Sequence, residues 1–287
     1  MKTVQTIAEV RRIVSDTRAG GATVGFVPTM GGLHEGHLSL IDAGRNACDF
    51  VVVSIFVNPT QFAPGEDLST YPRNIEADLA ACDARGADLV FVPTVETMYP
   101  RQPVTSVAVS ELSETLCGRD RPTHFAGVCT VVVKLLNIVG PDKAFFGQKD
   151  FQQLVIITRM VGDLDIPVEI VPCPIVRETD GLAMSTRNQR LSAAGRRQAV
   201  ALHGALEYAS DQIRKSHPPP AEILASTRAY ISTNAPDGEI DYIQIVDPQT
   251  LCDVETTDRI VLVALAVKFP GARLIDNMLV DSAGESQ

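Results

Sequence analysis

Residues 50–57 (FVVVSIFV) are apolar at every position but Ser54 and run straight into Asn58-Pro59, which ends them. So short an apolar run, rich in β-branched residues and closed by a turn signal, predicts a strand buried on both faces. Such a strand needs a layer on each side, and the flanking chain supplies it. Residues 22–28 (ATVGFVP), 88–93 (DLVFVP), 143–146 (KAFF) and 168–171 read as further strands, with helical patterns at 38–47, 73–85, 124–139 and 151–161. Strand–helix alternation predicts an α/β domain over residues 1–175: a Rossmann-like parallel sheet with helices on both faces. Beyond it the order changes. Helices are expected at 193–215 and 221–233, separated by Ser216-His-Pro-Pro-Pro220, and strands at 239–246, 259–266 and 273–278. Helices followed by consecutive strands predict a smaller α+β domain, 176–287, with an antiparallel sheet and a frayed tail from Ser282.

Charge and length exclude several roles. The chain carries 35 acidic against 25 basic residues, a formal net charge of −10, and no basic tract. Affinity for nucleic acid comes mainly from neutralised phosphates, so no nucleic-acid partner is expected. The start, MKTVQTIAEVRRIV, is interrupted by Glu9, Arg11 and Arg12 and reads as an amphipathic surface helix, not a secretory leader. With no apolar run near the roughly 20 residues that cross a bilayer, a cytoplasmic chain without a membrane partner is expected. Cysteines 48, 82, 117, 129, 173 and 252 show neither a C-x-x-C pair nor zinc-site spacing, which predicts reduced thiols.

Open α/β sheets bind ligands beyond the carboxyl ends of their strands, and four segments there carry polar groups. Residues 28–37 read PTMGGLHEGH. Gly31 and Gly32 permit a tight turn and a close approach to a ligand, and the helix that follows presents N–H groups and a positive dipole end to phosphate. His34 and His37, three apart, are expected on one helical face as donors to phosphate oxygens. A plain turn uses the same glycines, and His-x-x-His is also half a metal site, although no third ligand at familiar spacing follows. Asn58 and Gln61 in NPTQF offer uncharged donors and acceptors suited to hydroxyls or a carboxylate. In FFGQKDFQQ, Lys149 opposes the dipole of the helix it begins, which hints at a bound anion, and Gln153 lies one turn on. Finally, residues 176–188 place Ser185 and Arg187 in a flexible loop at the domain boundary, able to close over a triphosphate or to serve only as a hinge before a helix capped by Ser192.

An H-x-G-H followed by a later M-S-x-R resembles the two signatures of class I aminoacyl-tRNA synthetase-like nucleotidyltransferases. Within that superfamily PTMGGLHEGH, IFVNPTQF, FFGQKDFQQL and GLAMSTRN resemble the pantothenate synthetase, or pantoate–β-alanine ligase, family over residues 24–278. The resemblance implies ATP-dependent condensation of (R)-pantoate with β-alanine through a pantoyl adenylate, with Mg²⁺ accompanying ATP, in a homodimer. It implies an ATP site of Met30, Gly31, Gly32, Leu33, His34, Glu35, Gly36 and His37, with Gly147, Gln148, Lys149, Asp150, Val176, Met184, Ser185, Thr186 and Arg187. His37 stands as general acid assisted by His34, and Lys149, Ser185 and Arg187 act on the phosphates. Gln61 and Gln153 would hold pantoate, with Asn58, Arg121 and His124 nearby. Where relatives carry an acidic run that helps to place magnesium, this chain offers only Glu76 and Asp78, so no protein ligand for the metal is assigned. A related nucleotidyltransferase acting on a phosphorylated acceptor is the alternative, but it calls for a second set of basic residues where this chain has amides.

Overall fold

In the computed structural model, which describes residues 1–66 and 68–282, the apolar runs of the N-terminal half become strands of one parallel sheet. In chain order this part holds Lys2–Val4 (β1), Ile7–Ala19 (α1), Val24–Thr29 (β2), Glu35–Ala47 (α2), Phe50–Ile55 (β3), Ile75–Ala84 (α3), Leu89–Phe91 (β4), Val95–Met98 (α4), Cys117–Asp120 (α5), His124–Val139 (α6), Lys143–Gly147 (β5), Phe151–Asp163 (α7) and Glu169–Cys173 (β6). The strand order is β1-β4-β3-β2-β5-β6, every pair parallel. β2 and β3 are paired along their whole length, from Val24 opposite Phe50 to Thr29 opposite Ile55, so both chains leave the sheet at the same level.

Side chains alternate across a strand, and each face is covered by a different layer. Val27, Val53, Val90 and Phe145 pack with Leu38 and Ile41 of α2 and with Cys82 of α3. α6 packs on β2 and against α1. The left-handed backbone of Gly140 ends α6, its N–H bonded to the Leu136 carbonyl. The one strand absent from the sequence reading is β1. Three residues hold too little pattern to register, and the helix expected from the first residue starts only at Ile7, behind a Thr6–Glu9 capping box.

The rest of the chain holds Ala193–Ala199 (α8), Ala201–Ser216 (α9), Pro220–Asn234 (α10), Glu239–Val246 (β7), Val261–Phe269 (β8) and Ala272–Val280 (β9). Its antiparallel sheet has the order β7-β8-β9, and β8 is buried at every position but Lys268. The single helix expected over 193–215 is two, divided at Val200. Val200 keeps helical dihedrals, so the interruption lies in the hydrogen-bond ladder and leaves no mark on the apolar period. The chain forms two compact units: Met1–Gln148 with Gln153–Pro174, and Lys149–Gln152 with the residues from Ile175 onward. Of the tail expected to fray, residues 283–287 lie outside the described residues. No helix among the described residues is long and apolar enough to cross a membrane.

The core of the second unit is closed by Leu265, fully buried at the centre of β8 among Leu206, Ile213, Ile243 and Leu274. Leu265→Ala is expected to lower unfolding free energy by about 2–5 kcal/mol through lost transfer energy and the cavity left behind. Ile260→Ala, at a half-exposed position beside the same strand, should stay within about 0.5 kcal/mol. Urea unfolding of the two variants checks the pair.

Candidate functional site

β2 ends at Thr29, and the chain must then turn before α2 can begin. Gly31 and Gly32 take φ of 82° and 63°, in the left-handed region open to glycine at little penalty. The next two N–H groups converge on a single carboxylate from α3: Gly32 N donates to Asp78 Oδ2 at 2.9 Å and Leu33 N to Asp78 Oδ1 at 2.8 Å. The approach is close enough that a Cβ on Gly31 would lie 2.9 Å from Asp78 Oδ2. An anion of the protein's own thus already occupies the N–H groups of Gly32 and Leu33.

His34 is the N-cap of α2, in extended backbone just outside the helix, with His37 at the third helical position, and the two side chains face each other as the three-residue spacing predicts. The two side chains build a reciprocal cap: His34 Nδ1 accepts the N–H of Gly36 at 3.1 Å, and His37 Nδ1 accepts the N–H of His34 at 3.4 Å. The ring centroids lie 4.2 Å apart. An Nδ1 that accepts a backbone N–H leaves the ring's own N–H on Nε2. The motif thus presents two adjacent Nε2–H donors, held by backbone contacts their own turn provides.

The end of β3 supplies the second group. Asn58 is 1% exposed and caps the Pro59–Gln61 turn. Its Oδ1 accepts from Tyr99 Oη at 2.9 Å and Thr60 Oγ1 at 3.0 Å, and its Nδ2 donates to Gln61 Oε1 and the Gly127 carbonyl, each at 3.2 Å. Burial pushes the Tyr99 phenol up, so it stays protonated as a donor. Asn58 therefore meets Gln61, whose Nε2 donates to Met30 Sδ at 3.1 Å. α6 comes so near that a Cβ on Gly127 would lie 2.5 Å from the Thr60 carbonyl oxygen, which is why glycine stands there. Arg121 and His124 converge on the Gln61 main-chain carbonyl, at 3.4 Å and 2.9 Å. A cavity of about 420 Å³ opens at the strand ends, lined by Met30, Gly31, Phe56, Val57, Asn74 and Asp78 among others.

The third segment is divided between the units. Gly147 and Gln148 belong to the first, Lys149 and Asp150 to the second, and Gln153 on α7 to the first. Within the second unit the Lys149 carbonyl accepts from Asn277 Nδ2 at 2.9 Å.

The fourth segment is ordered differently from the loop read from sequence. Val176 and Met184 pair through a backbone hydrogen bond of 3.0 Å, and Arg177 bridges Ala183 in antiparallel fashion, making a hairpin that turns at Gly181. Arg177 ties it to β9 through a bidentate pair with buried Asp276, at 2.7 and 3.0 Å. Ser185 then caps the short Thr186–Arg190 turn, its Oγ accepting the Arg187 N–H at 3.2 Å, while Ser192 caps α8. Asp78, Tyr99, Gly127 and Asp276 were not singled out as supports of this site. Their partners lie 41 or more residues away along the chain, beyond the reach of any local pattern.

The segment leading away from Gln61 is pinned by Glu66, whose carboxylate accepts from Arg121 Nε at 2.7 Å and Nη2 at 2.6 Å. These hydrogen bonds hold the Glu66 carboxyl below its ordinary range against the opposing effect of burial. The stability they contribute is complete above the ordinary carboxylate range and disappears as pH falls through the depressed value. The difference in melting temperature between the wild type and Glu66→Gln should therefore be largest near neutrality and shrink in acid. Thermal melts at a series of pH values check it.

Comparison with known proteins places this geometry. The family model for pantoate–β-alanine ligase matches residues 2–279. The pantothenate synthetase of Ruminiclostridium cellulolyticum is 52% identical over 277 residues, covering 96% of this chain and 98% of that protein. Among solved structures, the pantothenate synthetase of Thermus thermophilus superposes with a TM-score of 0.92 at 44% identity, covering 97% and 99% of the two chains. The pantoate–β-alanine ligase of Francisella tularensis, solved with beta-gamma ATP and beta-alanine, does so with a TM-score of 0.81 at 32% identity over 97% of each chain. With Met30 to His37, Asn58 to Gln61 and Met184 to Arg187 all inside the matched span, the chain belongs to the pantoate–β-alanine ligase family.

Proposed function

We propose that this chain joins (R)-pantoate to β-alanine with the hydrolytic energy of ATP captured in an acyl adenylate. A pantoate carboxylate oxygen attacks the α-phosphorus, and the bond to the bridging oxygen of the β-phosphate breaks to release pyrophosphate. The β-alanine amine, having lost a proton, then attacks the acyl carbon of pantoyl adenylate. The C–O bond breaks and AMP leaves with the electron pair. Reactions of this kind rest on positioning and on neutralising charge as it develops. The observation that carries the reading is the paired Nε2–H presentation of His34 and His37, since hydrogen-bond donors held by their own backbone are what a developing phosphate charge requires.

In this proposal Met30 to His37 line the ATP site, with Gly147 to Asp150, Val176 and Thr186; with its Nδ1 accepting, His37 serves as a hydrogen-bond donor to the phosphates, assisted by His34, in place of the general acid that the resemblance implies. Lys149, Ser185, Arg187 and Met184 serve the triphosphate strip. Gln61 and Gln153 bind pantoate, and Asn58, fully engaged within the protein, acts through Gln61. Magnesium enters with ATP. Among the described residues no group of three or more His, Cys, Asp or Glu is arranged to hold a metal. Phosphate oxygens and water are the proposed ligands. A homodimer in the cytoplasm is the assembly and location proposed, and sedimentation tests the former.

The assay is release of AMP and pyrophosphate from Mg-ATP with pantoate and β-alanine each present or omitted. AMP is expected only with both substrates, and AMP formation without β-alanine would contradict the acyl-transfer step. His37→Ala should lower turnover by about 10²–10³-fold, the scale for losing one transition-state donor, with modest change in ATP affinity. Gln61→Ala should act differently, raising the KM for pantoate in steady-state kinetics.

A further inference from the structure

We infer that Asp78 is a positioning residue for the histidine pair, its carboxylate serving the backbone of the glycine turn and not a metal ion. The inference rests on the function proposed above for His34 and His37. Asp78 lies in the first turn of α3, where its own helix has no need of it, because Asn74 is the N-cap and its Oδ1 accepts the Ala77 N–H at 3.2 Å. The side chain is 4% exposed and both oxygens face the Gly31–Leu33 turn. Successive N–H groups of a turn aim into one concavity that binds an anion, and Asp78 fills it. Leu33 is held immediately before His34, and His34 caps α2, so the clamp sets where both imidazoles stand.

Two consequences follow from charge and geometry. A carboxylate already in the concavity repels a second anion from those N–H groups, so phosphate must meet the histidine Nε2–H groups instead. Each Asp78 oxygen already accepts a backbone N–H and the residue is only 4% exposed, so an octahedral ion that keeps several waters would have to compete with both donors for it.

The test compares pyrophosphate release in the adenylation half-reaction, from Mg-ATP and pantoate, for wild type, Asp78→Asn and Gly31→Ala. Asp78→Asn keeps the shape but turns an NH₂ against one of the two N–H donors. Gly31→Ala leaves the carboxylate in place and pushes it away with a methyl. Both are expected to lose kcat on the order of 10²-fold, the effect of a misplacement near 1 Å, with pantoate KM and the Mg²⁺ concentration for half-maximal rate unchanged. A higher Mg²⁺ requirement for Asp78→Asn, relieved by excess metal, would overturn the inference in favour of a metal ligand. So would kcat per folded molecule equal to wild type, which would leave Asp78 merely structural. If neither variant folds, amide exchange at Gly32 and Leu33 in the wild type decides. Protection that persists on adding Mg²⁺ supports the clamp, and protection lost on adding it refutes the clamp. Wild type that releases no pyrophosphate from ATP and pantoate sinks the proposed function, whereas active wild type with an equally active Asp78→Asn sinks this inference alone.

Discussion

A chain leaving the centre of a parallel sheet loses its ladder partners before a helix can supply new ones, and the N–H groups in that gap must find acceptors. In this protein the gap after β2 is only a few residues long, and the backbone contacts that shape the histidine pair answer it. Thr29 Oγ1 accepts from Gly31, Asp78 accepts from Gly32 and Leu33, and the imidazoles of His37 and His34 accept from His34 and Gly36. The donors that the turn could have offered to a ligand are thus converted into a rigid mount. The donors presented in their stead are side-chain N–H groups, set a helical turn from the strand end.

This arrangement separates holding from reacting. Asp78 and the two Nδ1 atoms hold, and the two Nε2–H groups carry the chemistry proposed for the pair. A histidine whose Nδ1 is tied to a backbone amide has its tautomer fixed by the fold, so the proton needed at Nε2 does not depend on a neighbouring carboxylate. The division also accounts for the short spacing of the motif. Because each imidazole satisfies an N–H within three residues of itself, the pair can be encoded locally while its mount is completed from α3.

How far the sequence reveals this follows from the range of each interaction. α6 and β7 appear where the pattern placed them, at His124–Val139 and Glu239–Val246, because apolar periodicity and clear end signals coincide there. The parallel sheet was legible for the same reason: strands buried on both faces leave unbroken apolar runs. β1 was not, since its three residues take their meaning from the distant β4, in the pairing of Lys2 with Leu89. In the site, residue types were legible and their duties were not. The acid at position 78 read as a possible aid to magnesium, and only the fold shows it turned to the backbone of Gly32 and Leu33. Likewise a loop rich in Thr, Asp, Gly and Ser gave no hint of the Arg177–Asp276 pair that orders it, because that partner lies on β9.

The amides after β3 show how a buried network can set the chemical preference of a surface it does not form. The Gly127 carbonyl can only accept, so Asn58 must turn its Nδ2 toward it. That leaves Asn58 Oδ1 to the protonated Tyr99 phenol, and the second N–H of Nδ2 to Gln61 Oε1. Gln61 is then fixed in turn: its carbonyl end is taken, and its NH₂ points to Met30 Sδ. A thioether is a weak acceptor, easily exchanged for an oxygen that accepts more strongly. The network therefore converts an ambiguous amide into a committed donor, fit for the carboxylate or hydroxyl oxygens of an acid such as pantoate. A charged residue in its place would hold a phosphorylated acceptor better, but in this buried setting it would have to be neutralised against a large desolvation penalty. Neutral donors aimed by a buried asparagine would give orientation without that penalty, in the role proposed for Gln61.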